Sequence, residues 1–214
     1  MQYRTIIIDP PWPEVGGGKI KRGADRHYPL MSIDEIKRLP IQTLSDENCH
    51  MYCWATDNYL ADAMDILRYW KFKPMGLIHW IKSDAVQGKD WLDYQIRLNN
   101  PGLGQYIRRV TESCIFAVKG NLPYKTREDG KRAQIAPNVI FAPRREHSQK
   151  PEELRKMAEL ISHEPRLEMF ARNRVDCWDC WGFDVSATIE IVNGVANKLL
   201  IYQQPQSKID SLFG

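Results

Sequence analysis

Tyr3-Arg4-Thr5-Ile6-Ile7-Ile8-Asp9-Pro10-Pro11-Trp12 is the stretch that decides the fold. Its β-branched run over 3–8 predicts a strand. Asp9 then stands at the carboxyl end of that strand, where open α/β sheets place their ligand sites. Two successive prolines fix their own φ angles and push the preceding residues out of the α region, so the chain leaves the sheet as a stiff turn.

Outward from this turn, strands and helices alternate. Ser32 and Glu35 have the spacing of a capping box and predict a helix from Ser32. A strand over 49–54, a helix over 57–70 with Leu60, Met64 and Leu67 on one face, and a strand over 75–81 together read as a βαβ unit. Further strands are expected over 113–118, 139–142 and 166–171, and a helix over 151–161 starts with proline at its first position. This alternation implies an α/β fold, a mostly parallel sheet with helices on both faces.

The segments 13–29, 83–107 and 120–137 are expected to be irregular, and loops this long in a compact domain are usually functional. A hairpin is expected from strands over 188–192 and 198–202 around Asn193-Gly194. The expected organisation is one domain over 1–184, a hairpin extension over 185–205 and a tail over 206–214.

The chain has 214 residues, 43% of them hydrophobic and 27% charged, the composition of a soluble globular protein. Its apolar runs are too short for a membrane span, no export signal is visible, and a cytoplasmic location is expected. Five cysteines form no disulfide framework, which fits a reducing compartment. Cys177-x-x-Cys180 has no matching second pair, so no metal site is expected. Net charge is only +3, yet basic residues gather in loops, among them Lys19, Lys21, Arg22 and Arg26. Such clusters either track a phosphate backbone or are solvated surface charge.

Asp9-Pro10-Pro11-Trp12, followed by His27-Tyr28-Pro29, Trp54-Ala55-Thr56, Glu112 to Gly120, and the segment from Ser148 to Gly182, resembles the N6-adenine methyltransferase family. That family includes the catalytic subunit of the eukaryotic messenger-RNA writer and many bacterial and phage members. The resemblance covers roughly residues 3–184. It implies a Rossmann-like S-adenosylmethionine-dependent methyltransferase fold in permuted order, with the catalytic motif first and the cofactor half last. It explains why no glycine-rich cofactor loop follows Ile8.

On this resemblance Asp9, Pro10, Pro11 and Trp12 form the catalytic turn. An adenine amine is a poor nucleophile because its lone pair is delocalised into the ring. The Asp9 carboxylate and Pro10 carbonyl are expected to accept its two hydrogens, and Trp12 to offer a flat face to the purine. Tyr28 and the basic residues Lys19, Lys21, Arg22 and Arg26 are expected at the nucleic-acid substrate. Lys150, Glu168, Phe170, Arg172 and Arg174 align with the cofactor site, to which Asp9 also belongs. The family's Gly-Asn is here Gly182-Phe183, which leaves Asp184 as the expected acceptor for ribose hydroxyls.

By the strand period of two, Glu168, Phe170 and Arg172 share one face, as a pocket edge or as a strand-end ion pair. In the tail, Gln206, Ile209, Leu212 and Phe213 have the spacing of a sliding-clamp-binding peptide, the alternative being a terminal turn packed on its own domain. The clamp reading favours DNA as substrate. RNA methylation, and a non-catalytic nucleic-acid-binding subunit of a methyltransferase complex, are the alternatives. With no separate target-recognition domain, a homodimer or a partner methyltransferase subunit is a further expectation.

Overall fold

Strand β1 (Tyr3–Ile8) is buried on both faces, and both of its edges are paired with parallel neighbours. These are β2 (Ser45–Ala55) and β7 (Arg166–Met169). The computed structural model describes residues 1–14, 30–87, 95–98, 109–126, 129–131, 137–144, 149–182 and 185–199. Ile6 and Ile8 enter a core shared with helices α1 (Ile33–Arg38) and α3 (Leu60–Tyr69). Ile7 points the other way, into a core closed by Leu154, Met157 and Ala158 of α4 (Glu152–Ile161). The sheet is therefore covered by helices on both faces, as the alternation of elements requires.

The remaining strands are β3 (Lys73–Gln87), β4 (Gln95–Leu98), β5 (Thr111–Lys119), β6 (Val139–Ala142) and β8 (Asp179–Trp181). The order across the sheet is β4-β3-β5-β2-β1-β7-β8, with β6 beside β3. Pairs β1–β2, β1–β7, β7–β8 and β3–β6 are parallel. Strand β5 lies antiparallel between β2 and β3. The expected βαβ unit is corrected accordingly: β2 and β3 point the same way but are not neighbours, because the slot between them is filled by a later strand.

From β1 the chain passes through α1 and α2 (Ile41–Leu44) to β2 on one side, whereas from β7 it continues to β8 on the other. The crevice between the carboxyl ends of β1 and β7 is thus a topological switch point, the place where such sheets bind ligands.

Several boundaries differ from the sequence expectation for identifiable reasons. The segment 83–107 is not wholly irregular, since β3 continues to Gln87 and pairs with β4. Its polar residues hide the strand pattern. Strand β7 stops at Met169 because Phe170 adopts φ 58°, a left-handed conformation that ends the alternation. Helix α4 begins at Glu152, with Pro151 as its N-cap. The return strand of the hairpin is β10 (Val195–Lys198), which starts three residues before the expected 198, while 200–202 lie outside the described residues. Asn193 and Gly194 both have positive φ, a two-residue turn that brings β10 into immediate pairing with β9 (Ile189–Val192). Ile189, Ile191 and Ala196 of this hairpin join the same core as β1. The capping box at Ser32 and Glu35 is present as expected.

Candidate active site

The carbonyls that follow Asp9 are bonded in succession, the first three of them by backbone N–H groups. Trp12 N–H donates to the Pro10 carbonyl at 2.8 Å, Met31 N–H to Pro11 at 2.9 Å, and Glu14 N–H to Trp12 at 2.6 Å. The Pro10 carbonyl keeps a second lone pair beyond the one given to Trp12, so it retains capacity for an external donor. Trp12 corrects an expectation. Its indole is only 5% exposed, donates Nε1–H to the Trp54 carbonyl at 3.0 Å, and lies flat against Tyr59 with centroids 5.6 Å apart and planes 9° apart. One face is taken by a protein ring, so Trp12 braces the turn instead of presenting an open platform for a base.

Asp9 opens into a row of alternating charges. Its Oδ2 is 3.0 Å from Lys150 Nζ, which is 3.1 Å from Glu112 Oε2. Glu112 Oε1 in turn accepts from Lys82 Nζ at 2.5 Å. Burial, opposed by Lys150, raises the pKa of Asp9, and Glu112 adds repulsion. Burial would also raise Glu112, but the ammonium groups of Lys150 and Lys82 win and hold it down to about 2. Lys150 itself is pulled up, because its two carboxylates outweigh the cost of burial. The site thus holds a firmly protonated lysine between a carboxylate that strongly prefers ionisation and one that does so less. Neither Glu112 nor Lys82 is singled out by the sequence. Their roles arise from β3–β5 pairing, where Trp80 faces Glu112 and Lys82 lies two residues further on.

Most of the residues expected at the cofactor converge on the same crevice. A cleft of about 570 Å³, solvent at its mouth included, is lined by Asp9, Trp54, Gln149, Lys150, Arg155, Glu168, Phe170, Arg172 and Asn173 among others. Register places Glu168 beside Ile7, facing α4. There its Oε2 accepts from Arg155 Nε at 3.0 Å and Nη2 at 2.8 Å. Burial raises the Glu168 pKa, with Arg155 opposing. The expected strand face of Glu168, Phe170 and Arg172 is corrected: Phe170 has turned off the strand and meets Trp181 edge-on at 5.3 Å. All three nonetheless border the cleft, whereas Arg174 is not among its lining residues.

Gly182 explains part of this geometry. A Cβ there would lie inside contact distance of the Ala171 carbonyl oxygen and 2.7 Å from the Ala171 nitrogen. Gly182→Ala must push away the backbone that carries Phe170 and Arg172. We expect it to weaken cofactor binding about tenfold or more, by calorimetric titration, while lowering Tm by a few degrees. Unchanged affinity would show that the close approach has no bearing on the cleft.

The structure therefore brings Asp9, Lys150, Glu168, Phe170 and Arg172 to one crevice, whereas Pro10, buried directly after Asp9, is not among its lining residues. Tyr28, Lys19, Lys21, Arg22, Arg26 and Asp184 lie outside the described residues, as do Gln206, Ile209, Leu212 and Phe213.

A family model described as MT-A70 matches residues 3–184. The chain is 30% identical over 177 residues to a probable N(6)-adenosine-methyltransferase MT-A70-like protein of Oryza sativa subsp. japonica, covering 80% of this chain and 21% of that protein. It is 27% identical over 177 residues to the human N(6)-adenosine-methyltransferase catalytic subunit METTL3, covering 80% and 26%. It is 23% identical over 209 residues to the type II methyltransferase M.MunI of a Mycoplasma species, covering 86% and 78%. The chain spans only a fraction of the two N(6)-adenosine relatives and most of M.MunI.

Proposed function

The chain belongs to the MT-A70 family of S-adenosylmethionine-dependent methyltransferases, and from that premise we propose that it methylates the N6 amine of adenine in DNA. The observation that carries this reading is the Asp9 carboxylate at the end of β1, 3.0 Å from Lys150, beside the Pro10 carbonyl and on the wall of the cleft.

The cleft fits the cofactor chemically. S-adenosylmethionine presents an amino-acid zwitterion, a ribose diol and a purine, and supplies an electrophilic methyl group on its sulfonium. Lys150 has a third N–H beyond those aimed at Asp9 and Glu112, and with Arg172 it would meet the carboxylate. Glu168 would accept from an ammonium or from hydroxyls, and Phe170 borders the cleft with an apolar ring.

The residues of the turn act on the substrate amine. Asp9 and the free lone pair of Pro10 O accept the two amine hydrogens, which localises the nitrogen lone pair. As the nitrogen gains a bond it becomes positive, and the fixed carboxylate stabilises that charge without reorganising. The surplus proton leaves through Asp9, whose raised pKa makes it a better acceptor than an ordinary carboxylate.

DNA is preferred over RNA on the clamp-like spacing of Gln206, Ile209, Leu212 and Phe213. The relative whose length is covered most fully of the three is also the one named a type II methyltransferase. RNA is the second reading, favoured by the relatives named for N(6)-adenosine. Nucleoside mass spectrometry, after incubation with S-adenosylmethionine and either unmethylated DNA or RNA, decides between them, with Asp9→Ala as control. N6-methyladenine in DNA that vanishes with Asp9→Ala is the expected outcome. Its absence from both polymers, or its persistence in the control, overturns the assignment. Deleting residues from 206 onward is expected to abolish co-purification with a sliding clamp and to leave methylation of free substrate intact. Unchanged clamp binding refutes that part.

A further inference from the structure

Four consecutive carbonyls, those of Pro10, Pro11, Trp12 and Pro13, come after Asp9, and three of them are closed by backbone N–H groups. The fourth is closed by a side chain: Tyr59 Oη donates to the Pro13 carbonyl at 2.7 Å. The same Tyr59 ring covers Trp12 in near-parallel stacking. Tyr59 therefore grips the turn twice, through its ring at Trp12 and through its hydroxyl one residue later.

It sits in the 3-10 turn Asp57–Tyr59, directly after β2. Its neighbours hold the next residue. Thr56 Oγ1 donates to Glu14 Oε1 at 2.7 Å, while Arg109 Nη2 donates to Asn58 at 2.6 Å and its guanidinium lies 3.8 Å from Glu14. The register of Trp12, Pro13 and Glu14 is thus set by the segment after β2, and β2 is the parallel neighbour of β1.

We propose that Tyr59 is a positioning residue, whose stacking on Trp12 and bond to Pro13 hold the Asp9–Pro10 acceptor pair at the spacing that an amine requires. Proline-rich segments are stiff within themselves but turn about their ends, so the distal end needs an anchor if the proximal carbonyl is to keep its direction. A misplacement of about 1 Å in an acceptor costs on the order of a hundredfold in rate. Fixing the far end of a five-residue turn therefore has leverage out of proportion to one hydrogen bond. The proposal rests on the methyl-transfer reading for its kinetic consequence and on the contacts alone for its geometry.

The test uses the full chain with Tyr59→Phe and Tyr59→Leu. Tyr59→Phe keeps the ring and loses the bond to Pro13, and kcat is expected to fall roughly 2–10-fold, the equivalent of one hydrogen bond. Tyr59→Leu loses both grips, and kcat is expected to fall roughly a hundredfold. Rates are normalised to sites that bind S-adenosylmethionine by calorimetry, and KM for the cofactor is expected to stay within about threefold, which a general loss of structure would not give. A kcat in Tyr59→Leu equal to the wild type, or lowered only in proportion to lost binding sites, overturns the proposal.

Fluorine NMR of 5-fluorotryptophan-labelled protein, with the Trp12 signal assigned from Trp12→Phe, supplies a readout independent of activity. The Trp12 resonance is expected to move in Tyr59→Leu while the Trp70 resonance stays. An unmoved Trp12 resonance refutes the positioning role, whereas a wild type inactive on both polymers refutes the functional reading instead.

Discussion

Asp9→Asn is expected to lower kcat for methyl transfer by roughly a thousandfold while KM for S-adenosylmethionine changes little. The substitution keeps the shape of the side chain and one acceptor oxygen, but it removes the negative charge that faces the nitrogen as that atom becomes positive. Loss of one preorganised electrostatic partner in a water-poor site costs about 10²–10³ in rate. Here the loss is expected at the upper end, because the amide N–H₂ can also turn toward the substrate amine and repel it. An interaction made only as charge develops lowers kcat without raising KM. Single-turnover transfer of a radiolabelled methyl group measures the chemical step directly. A decrease of less than tenfold would mean that Asp9 is not the acceptor.

The acid limb of the wild-type pH profile is expected to follow the same group. Burial raises the Asp9 pKa above its ordinary 3.8, so activity is expected to fall on the acid side earlier than for an exposed aspartate. Asp9→Asn should have no such limb.

Lys150→Met is expected to destabilise the protein by roughly 2–3 kcal/mol at pH 7. Removing one member of a buried ion pair costs about 3–5 kcal/mol because the partner is left charged and unpaired. A discount applies because the Lys150 side chain is 20% exposed and Glu112 keeps Lys82. Urea denaturation at a series of pH values measures it. Glu112 has a depressed pKa, so its pairing contributes stability that is fully present above its ordinary 4.5 and lost as pH falls through about 2. Asp9 has the opposite sign: with a raised pKa its contribution is present below 3.8 and lost as pH rises through the folded value. Without Lys150 both carboxylates bind protons more readily. The difference between variant and wild type should therefore be largest near neutrality and shrink as the solution is acidified. A difference that does not vary with pH would show that Lys150 acts through packing alone.

The parts of this molecule that were legible in the sequence are those encoded by neighbours along the chain. The run Ile6-Ile7-Ile8 ending on Asp9-Pro10-Pro11 announces both a strand and the end of it, and Ser32 with Glu35 closes a capping box within four residues. The α/β class emerged from the alternation of such local signals. The hidden parts depend on pairing at a distance. Glu112 reads as one more polar residue at a strand margin until β5 is laid against β3, which brings it to Lys82 and Lys150. The stacking face assigned to Trp12 is an equally plain reading of an aromatic beside an acceptor. It fails because Tyr59, which looks like the first turn of a helix, folds over that ring. Phe170 shows a third limit, since a left-handed residue in Glu168-Met169-Phe170 leaves no mark on an otherwise strand-like stretch.

The placement of β5 between β2 and β3 has a consequence for how the chain acquires its structure during synthesis. Once Gln87 has been made, β2 and β3 are both available, yet neither can pair with the other across the width reserved for a strand beginning at Thr111. At about 5–20 residues per second, two unsatisfied edges wait on the ribosome for seconds, and β1 waits longer still for β7. Open edges of apolar strands are templates for association with other chains. Slowing elongation upstream of codon 111 should therefore raise the fraction of newly made protein that aggregates, whereas slowing it beyond Met169, when β1, β2, β3 and β5 have all found partners, should not.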